Sequence, residues 1–280
     1  MAASHDEGED YVLGRDPAEL TRLTKQHTLL KTELGGRLVL APLDLNGPSL
    51  KILDCACADG LWLRELCQDL PDGARHSYVG TDIEFSYFPK SPEASFKYVA
   101  QSMQSPFPGS WLNSFDLVHM RFGLAAAADV GPQKVVSNFI TAVKPGGWIQ
   151  LVEVDWADTS RCGPALTETF RFFAELFGKM GSGADYASKM SGWFTQEGLK
   201  NVSSETCYVR MGKANPDPTM AAVSVALQNH ITTSLVGLAL NQIPVSTPRA
   251  SLETLAARTK EELESAGGSY CMKVVWGQKA

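Results

Sequence analysis

The sequence predicts an α/β fold, a doubly wound and mostly parallel sheet, from three observations. The nine residues Ile52 to Gly60, ILDCACADG, run from an apolar strand through an acid and a loop of small residues into the amphipathic helix Leu61 to Leu70. A second acid, Asp82, closes the run YVGTD 22 residues past Gly60, about where a second strand presents a carboxylate to a nucleotide-like ligand. Strand and helix signals then alternate. FDLVHMR at 115–121 reads as a buried strand, Val135, Val136, Phe139, Ile140 and Val143 carry helical spacing, and IQLVEVD at 149–155 is the next strand.

The remaining elements follow along the chain. Residues 1–10 are small and acidic and read as a disordered tail. From Asp16 to Leu40 the pattern is helical, with Asp16-Pro17 as its start and Leu20, Leu23, Thr24 and His27 on one face. LDLNGPS at 43–49 is a loop, FKYVA at 96–100 a strand, and KPGGW at 144–148 a helix stop and turn. Helices at 164–180 and 185–197 surround the loop Gly181-Ser182-Gly183, the alternating stretch Val202 to Met211 is a strand, and GSYCMKVVWG at 268–277 is the last strand. Between those two strands Met220, Val223, Leu227, Ile231, Leu235 and Leu238 repeat at helical spacing, and after a break at Ile243 to Pro248 a second helix covers about 250–266. The segments 157–197 and 214–266 are expected to cap the carboxyl ends of the strands, where ligands bind in such sheets. The domain then spans 11–280, with 11–40 as an N-terminal helical lid.

Composition narrows the functional classes. The chain has 280 residues, 44% of them hydrophobic, enough for a substantial core, and a formal net charge of −6. It has no Lys/Arg run, so nucleic acid and anionic membrane are disfavoured as partners. The N-terminus lacks a basic and an apolar signal region, and no apolar stretch is expected to approach the ~18 residues of a membrane span. The cysteines at 55, 57, 67, 162, 207 and 271 form no paired motif. Cys55 and Cys57 lack a second pair or a nearby His, so no metal site is expected. These features point to a reducing, cytoplasmic compartment and a monomer or homodimer.

The first loop is not a phosphate loop, because it lacks Lys-Ser/Thr, and it carries Ala56 and Ala58 where a dinucleotide fingerprint needs glycine. A ligand without phosphate, such as S-adenosylmethionine, tolerates alanines better. The ordered elements over about 45–155 resemble a class I S-adenosylmethionine-dependent methyltransferase. The segment Tyr11 to His27, the HMRF stretch at 119–122, KPGGW and the run DPTMAAVSVALQNH at 217–230 are similar to the LaeA/UbiE-like methyltransferases of fungal secondary metabolism. The resemblance implies a Rossmann-like, seven-stranded sheet and S-adenosylmethionine as cofactor. It also implies that Asp54 contacts the amino acid end of the cofactor and that Asp82, followed by Ile83, is the ribose ligand. The loop Ala56, Ala58, Gly60 then approaches the ligand, and Gln101-Ser102 stands where the family places an acid near the adenine. Tyr11 and Gln26 would close over the cofactor, and Arg121 would sit near the methyl donor.

Methyl transfer needs alignment and exclusion of water, with a base only where the acceptor must lose a proton. Candidate bases are His119 and His230, then Glu153 and Asp155 at the end of the fifth strand. The reading is methyl transfer to an N, O, S or C centre of a small-molecule natural product. Three other readings share the sequence: a cofactor-binding but non-methylating cyclase or pericyclase, a LaeA-like regulator acting through protein partners, and a degenerate scaffold.

Overall fold

The computed structural model describes residues 17–280. Seven strands form one sheet: β1 (Lys51–Cys55), β2 (Ser77–Asp82), β3 (Phe96–Ala100), β4 (Phe115–Arg121), β5 (Val143–Val154), β6 (Lys200–Met211) and β7 (Gly268–Gln278). Their order is β3-β2-β1-β4-β5-β7-β6. The first five are parallel, and β7 runs antiparallel between β5 and β6. The central strands β1 and β4 are almost wholly buried, which is why they read as continuous apolar runs and not as alternating ones. The expected turn KPGGW is folded into the start of β5: Gly146 takes φ +78 and the β4–β5 register shifts there.

Helix α1 (Pro17–Glu33) precedes the sheet, α2 (Leu61–Asp69) follows β1, and α3 (Pro132–Ala142) follows β4. Helices α4 (Pro164–Met180) and α5 (Tyr186–Gln196) connect β5 to β6, and α6 (Pro218–Asn241) with α7 (Arg249–Ser265) connects β6 to β7. Helices α3 and α5 bury Val135, Phe139, Met190 and Phe194 against one face of the sheet, and α2 buries Trp62, Leu63 and Leu66 against the other. A separate aromatic and aliphatic core joins α4, α6 and α7 through Phe170, Phe173, Leu235 and Leu255.

Four expectations need correction. The first helix stops at Glu33, not Leu40, because Gly35 and Gly36 take φ +65 and +83 and break the helical path. The chain beyond them is irregular and pinned by the buried Gln150 on β5. Its Oε1 accepts the N–H groups of Leu40 and Ala41 at 2.6 and 3.0 Å, and its Nε2 donates to the Leu38 carbonyl at 3.0 Å. On α1 itself Thr24 is exposed, returning its hydroxyl to the Leu20 carbonyl. Helix α5, expected among the caps, packs on the sheet and α3, and of its residues only Tyr186 reaches the ligand edge. Finally, α6 is long and apolar enough, by length and composition, to cross a membrane. It packs on α1, α4, α7 and β6, and its most buried positions include Ser224, Gln228 and Thr232. Their hydroxyls and the Gln228 amide nitrogen are bonded within the helix or to Gly212, while Met220, Leu227, Ile231, Leu235 and Leu238 of the apolar stripe pack against the neighbouring cores.

Candidate active site

The carboxyl ends of β1 to β5 open into one cavity of about 430 Å³, closed on the other side by α1, α4 and α6. Its floor at β1 is a turn of uncommon shape. Ala56 and Ala58 are left-handed, at φ +53 and +49, and Gly60 caps α2 at φ +77. Left-handed backbone is unfavourable for an L-residue, so the turn is held by partners: Cys57 N–H donates to the Thr81 carbonyl at 2.9 Å and Ala58 N–H to Asp82 Oδ2 at 2.8 Å. Glycine is required at 60 on steric grounds as well, since a Cβ there would lie 2.3 Å from the Tyr98 ring. Gly60 therefore sits behind the turn, while Ala56 and Ala58 line the cavity.

At the end of β2, Asp82 and Ile83 line the same cavity. Asp82 accepts the Ala58 N–H and, on Oδ1, the Glu84 N–H at 2.9 Å. Burial raises its pKa, opposed by those backbone donors. Gln101 and Ser102 follow β3 and also face the cavity. The Gln101 amide nitrogen donates to the Ser102 carbonyl at 3.0 Å, which leaves the amide oxygen as the group free to accept.

Arg121 ends β4 and lines the cavity beside Gln26. Its guanidinium lies 3.1 Å from His27 Nδ1. Burial and the Arg121 charge lower the His27 pKa to about 4, so the ring is neutral and Nδ1 accepts. His27 Nε2 lies 3.1 Å from Glu65 Oε2, too oblique for a full hydrogen bond. Glu65 is held by Lys31 at 2.7 Å, which also reaches Asp69 at 2.7 Å. This chain of polar groups fastens α1 to α2 and to the end of β4, which is how the N-terminal helix comes to wall the site. Tyr11 lies outside the described residues.

Asp54 and the two histidine candidates stand elsewhere. Asp54 and His119 are register partners on the adjacent strands β1 and β4. Both are buried, and Asp54 Oδ1 lies 2.7 Å from His119 Nδ1. The imidazole stacks on Trp62 at 3.8 Å with a 4° interplanar angle. Burial lowers the His119 pKa, so it is a neutral, packed ring, and neither residue lines the cavity. His230 is exposed on α6 and likewise outside the cavity lining. Asp155 caps the turn after β5, accepting the Ala157 N–H at 3.3 Å. Glu153 alone of the proposed bases lines the cavity. Its Oε1 accepts the Leu124 N–H at 2.7 Å, and burial pushes its pKa up to about 8.

Other lining residues were not singled out as site residues: Arg22 and Leu23 on α1, Phe170, Phe173 and Phe177 on α4, Gln228 on α6, with Trp156 and Tyr270. The run FRFFAELF carries the three phenylalanines at positions i, i+3 and i+7, a signal that by itself states only that one helix face is apolar. Among the described residues no cluster of His, Cys, Asp or Glu fits a metal ion, and all six cysteines are free thiols.

The family described as "Methyltransferase domain" matches residues 26–206. The chain is 39% identical over 272 residues to methyltransferase psoC of Aspergillus fumigatus, covering 96% of each. It is 34% identical over 274 residues to N-methyltransferase sirN of Leptosphaeria maculans, covering 96% of this chain and 95% of that one. A solved Bacillus halodurans protein, assigned as a methyltransferase, shares the fold at TM-score 0.50 and 12% identity over 91% of this chain and 99% of that one. Sheet order, strand-end site and relatives agree: the chain belongs to the class I S-adenosylmethionine-dependent methyltransferases, among the fungal secondary-metabolism enzymes.

Proposed function

We propose that this enzyme methylates a nitrogen atom of a small, largely apolar molecule. One observation carries the reading: a single cavity has a polar end at the β1–β4 strand termini and an aromatic end between β5, α4 and α6. Two ligands can therefore meet inside it, away from water. The full-length relative from Leptosphaeria maculans is named an N-methyltransferase, which supports nitrogen as the acceptor.

The polar end fits the cofactor. The left-handed turn places the small residues Ala56 and Ala58 on the cavity wall, Asp82 offers carboxylate oxygens for ribose hydroxyls, and the Gln101 amide oxygen offers an acceptor for the adenine amino group. Arg121, held by His27, suits the carboxylate of the amino acid end. When bound, S-adenosylmethionine supplies a methyl carbon already activated by its sulfonium. The chain's own contribution is then alignment and desolvation. Trp156, Phe170 and Phe173 hold the acceptor and exclude water. Methyl transfer consumes a lone pair on nitrogen, so an amine that enters protonated must give up its proton before transfer, and Glu153 on the cavity wall is the carboxyl placed to take it.

The test uses S-adenosylmethionine labelled in its methyl group with small-molecule extracts of the producing organism. A product heavier by one labelled methyl, located on nitrogen by fragmentation, is expected. Turnover to an unlabelled isomer, or no binding of S-adenosylmethionine and S-adenosylhomocysteine by calorimetry, would refute it.

A further inference from the structure

We infer that the aromatic end of the cavity is built to take the acceptor as a protonated amine, paired with Glu153. This rests on the nitrogen-methylation reading and adds the chemical class of the substrate. Glu153 is 2% exposed, lines the cavity, and accepts one backbone N–H from Leu124. No cation pairs with its carboxyl among the described residues, and the groups acting on it are backbone N–H donors from Gly123, Leu124 and Val154. A buried carboxyl without a cation is unfavourable as an anion, and a cationic ligand supplies the missing partner.

The neighbours favour the same ligand. Trp156 stands at the centre of an aromatic wall, 5.5 Å from Phe170, 5.6 Å from Phe173 and 5.5 Å from Phe177 between ring centroids. Phe170 packs on Tyr270 at 6.4 Å. All five rings line the cavity with Glu153. The Trp156 indole N–H is bonded to Tyr186 Oη at 2.7 Å, which fixes the ring on the cavity wall. Ring faces attract ammonium groups, tryptophan most strongly. A carboxyl and an aromatic wall together discriminate for an amine and against a phenolate or carboxylate.

The charged and titratable groups around Glu153 leave this role to it. Arg121 on β4 is engaged by His27 at 3.1 Å. Lys273, its register partner on β7, places Nζ on Thr206 Oγ1 at 2.9 Å. Tyr186 on α5 and Tyr270 on β7 have pKa values raised by burial and stay neutral, and Arg22 on α1 is bonded to Glu19 at 2.7 Å.

The test compares two soluble probes of one shape, N-methylbenzylamine and benzyl methyl ether, titrated into the protein saturated with S-adenosylhomocysteine. The amine should bind roughly ten- to hundredfold more tightly, as expected for a buried charge-assisted hydrogen bond. With the Glu153 pKa at about 8, the free carboxyl is mostly protonated at pH 7. Binding the ammonium should then release about 0.9 proton at pH 7 and almost none at pH 9, read by calorimetry in buffers of different ionisation enthalpy. Glu153→Gln should abolish both the preference and the proton release while binding S-adenosylhomocysteine normally. Equal affinity for the two probes, no binding of the amine, or a preference surviving in Glu153→Gln would overturn the proposal. If the variant does not fold, the probe ratio and proton release of the unaltered protein still decide it. Amine binding with labelled methyl found on oxygen or carbon of the natural acceptor would instead overturn the nitrogen reading alone.

Discussion

Replacing Asp54 separates a cofactor ligand from a structural partner. Asp54 and His119 are 3% and 1% exposed, paired at 2.7 Å. Asp54→Ala leaves the Nδ1–H of a neutral imidazole without an acceptor in a dry core. Stranding such a donor costs about 2–3 kcal/mol, and a domain of this size loses roughly 2 °C of Tm per kcal/mol, so Tm should fall by about 5 °C. Asp54→Asn retains an acceptor and should cost under about 1 kcal/mol. His119→Phe keeps an aromatic ring on Trp62 but strands the carboxylate, a larger penalty of about 3 kcal/mol or more. The double variant Asp54→Ala/His119→Phe removes both polar groups and should be more stable than the sum of the singles predicts, with a coupling of about 2 kcal/mol. Urea titration with an unchanged m value measures the stabilities, and calorimetry with S-adenosylhomocysteine measures binding. If Asp54→Asn left stability untouched while weakening that binding tenfold, Asp54 would be a cofactor ligand and this assignment would be wrong.

Asp82→Ala should weaken S-adenosylhomocysteine binding roughly 10- to 100-fold and Gln101→Ala about fivefold, since the first removes a charged acceptor and the second a neutral one; the reverse order of dissociation constants would move the ribose ligand elsewhere. Ala58→Leu should fold and bind no cofactor, because Ala58 lines the cavity and the larger side chain would fill space the ligand needs, whereas Ala58→Gly, free of the left-handed penalty at φ +49, should bind normally; binding by a folded Ala58→Leu protein would take the turn out of the site. The fourth prediction concerns acid stability. His27 titrates at about 4 in the folded chain and 6.5 unfolded, so the unfolded state binds the extra proton between those values and stability is lost as pH falls through that window. Between pH 7 and 5 this residue should account for about 2 kcal/mol of the loss. His27→Gln should remove that share of the pH dependence in urea titrations, and an unchanged slope would refute a neutral, buried His27.

The alternation of elements was legible because it is written locally. Buried parallel strands read as apolar runs of five to seven residues, as in FDLVHMR, and the helix at 164–180 shows its face through phenylalanine spacing. The strand-end acids and the small-residue loop placed Asp82, Gln101 and the Ala56–Ala58 turn at one sheet edge before any contact was known. The Asp54 pairing with His119 was not legible, because the partner lies 65 residues away. Only the order that puts β4 beside β1 brings His119 opposite it, and a strand-end acid looks the same whether it meets a ligand or a neighbour.

What the sequence by itself determined is the fold class and the edge of the sheet where the site lies, since both rest on periodicity and on residues close in the chain, and the cofactor class followed from the family resemblance those residues carry. Tertiary structure decided which polar groups face the cavity. Glu153 and Asp155 are two residues apart on one strand end, yet the first lines the cavity with a pKa near 8 and the second caps a turn. His27 becomes a neutral clamp on Arg121 only when α1 docks against β4. Burial and partner geometry set these roles, and both are sums over neighbours that the fold, not the local sequence, brings together.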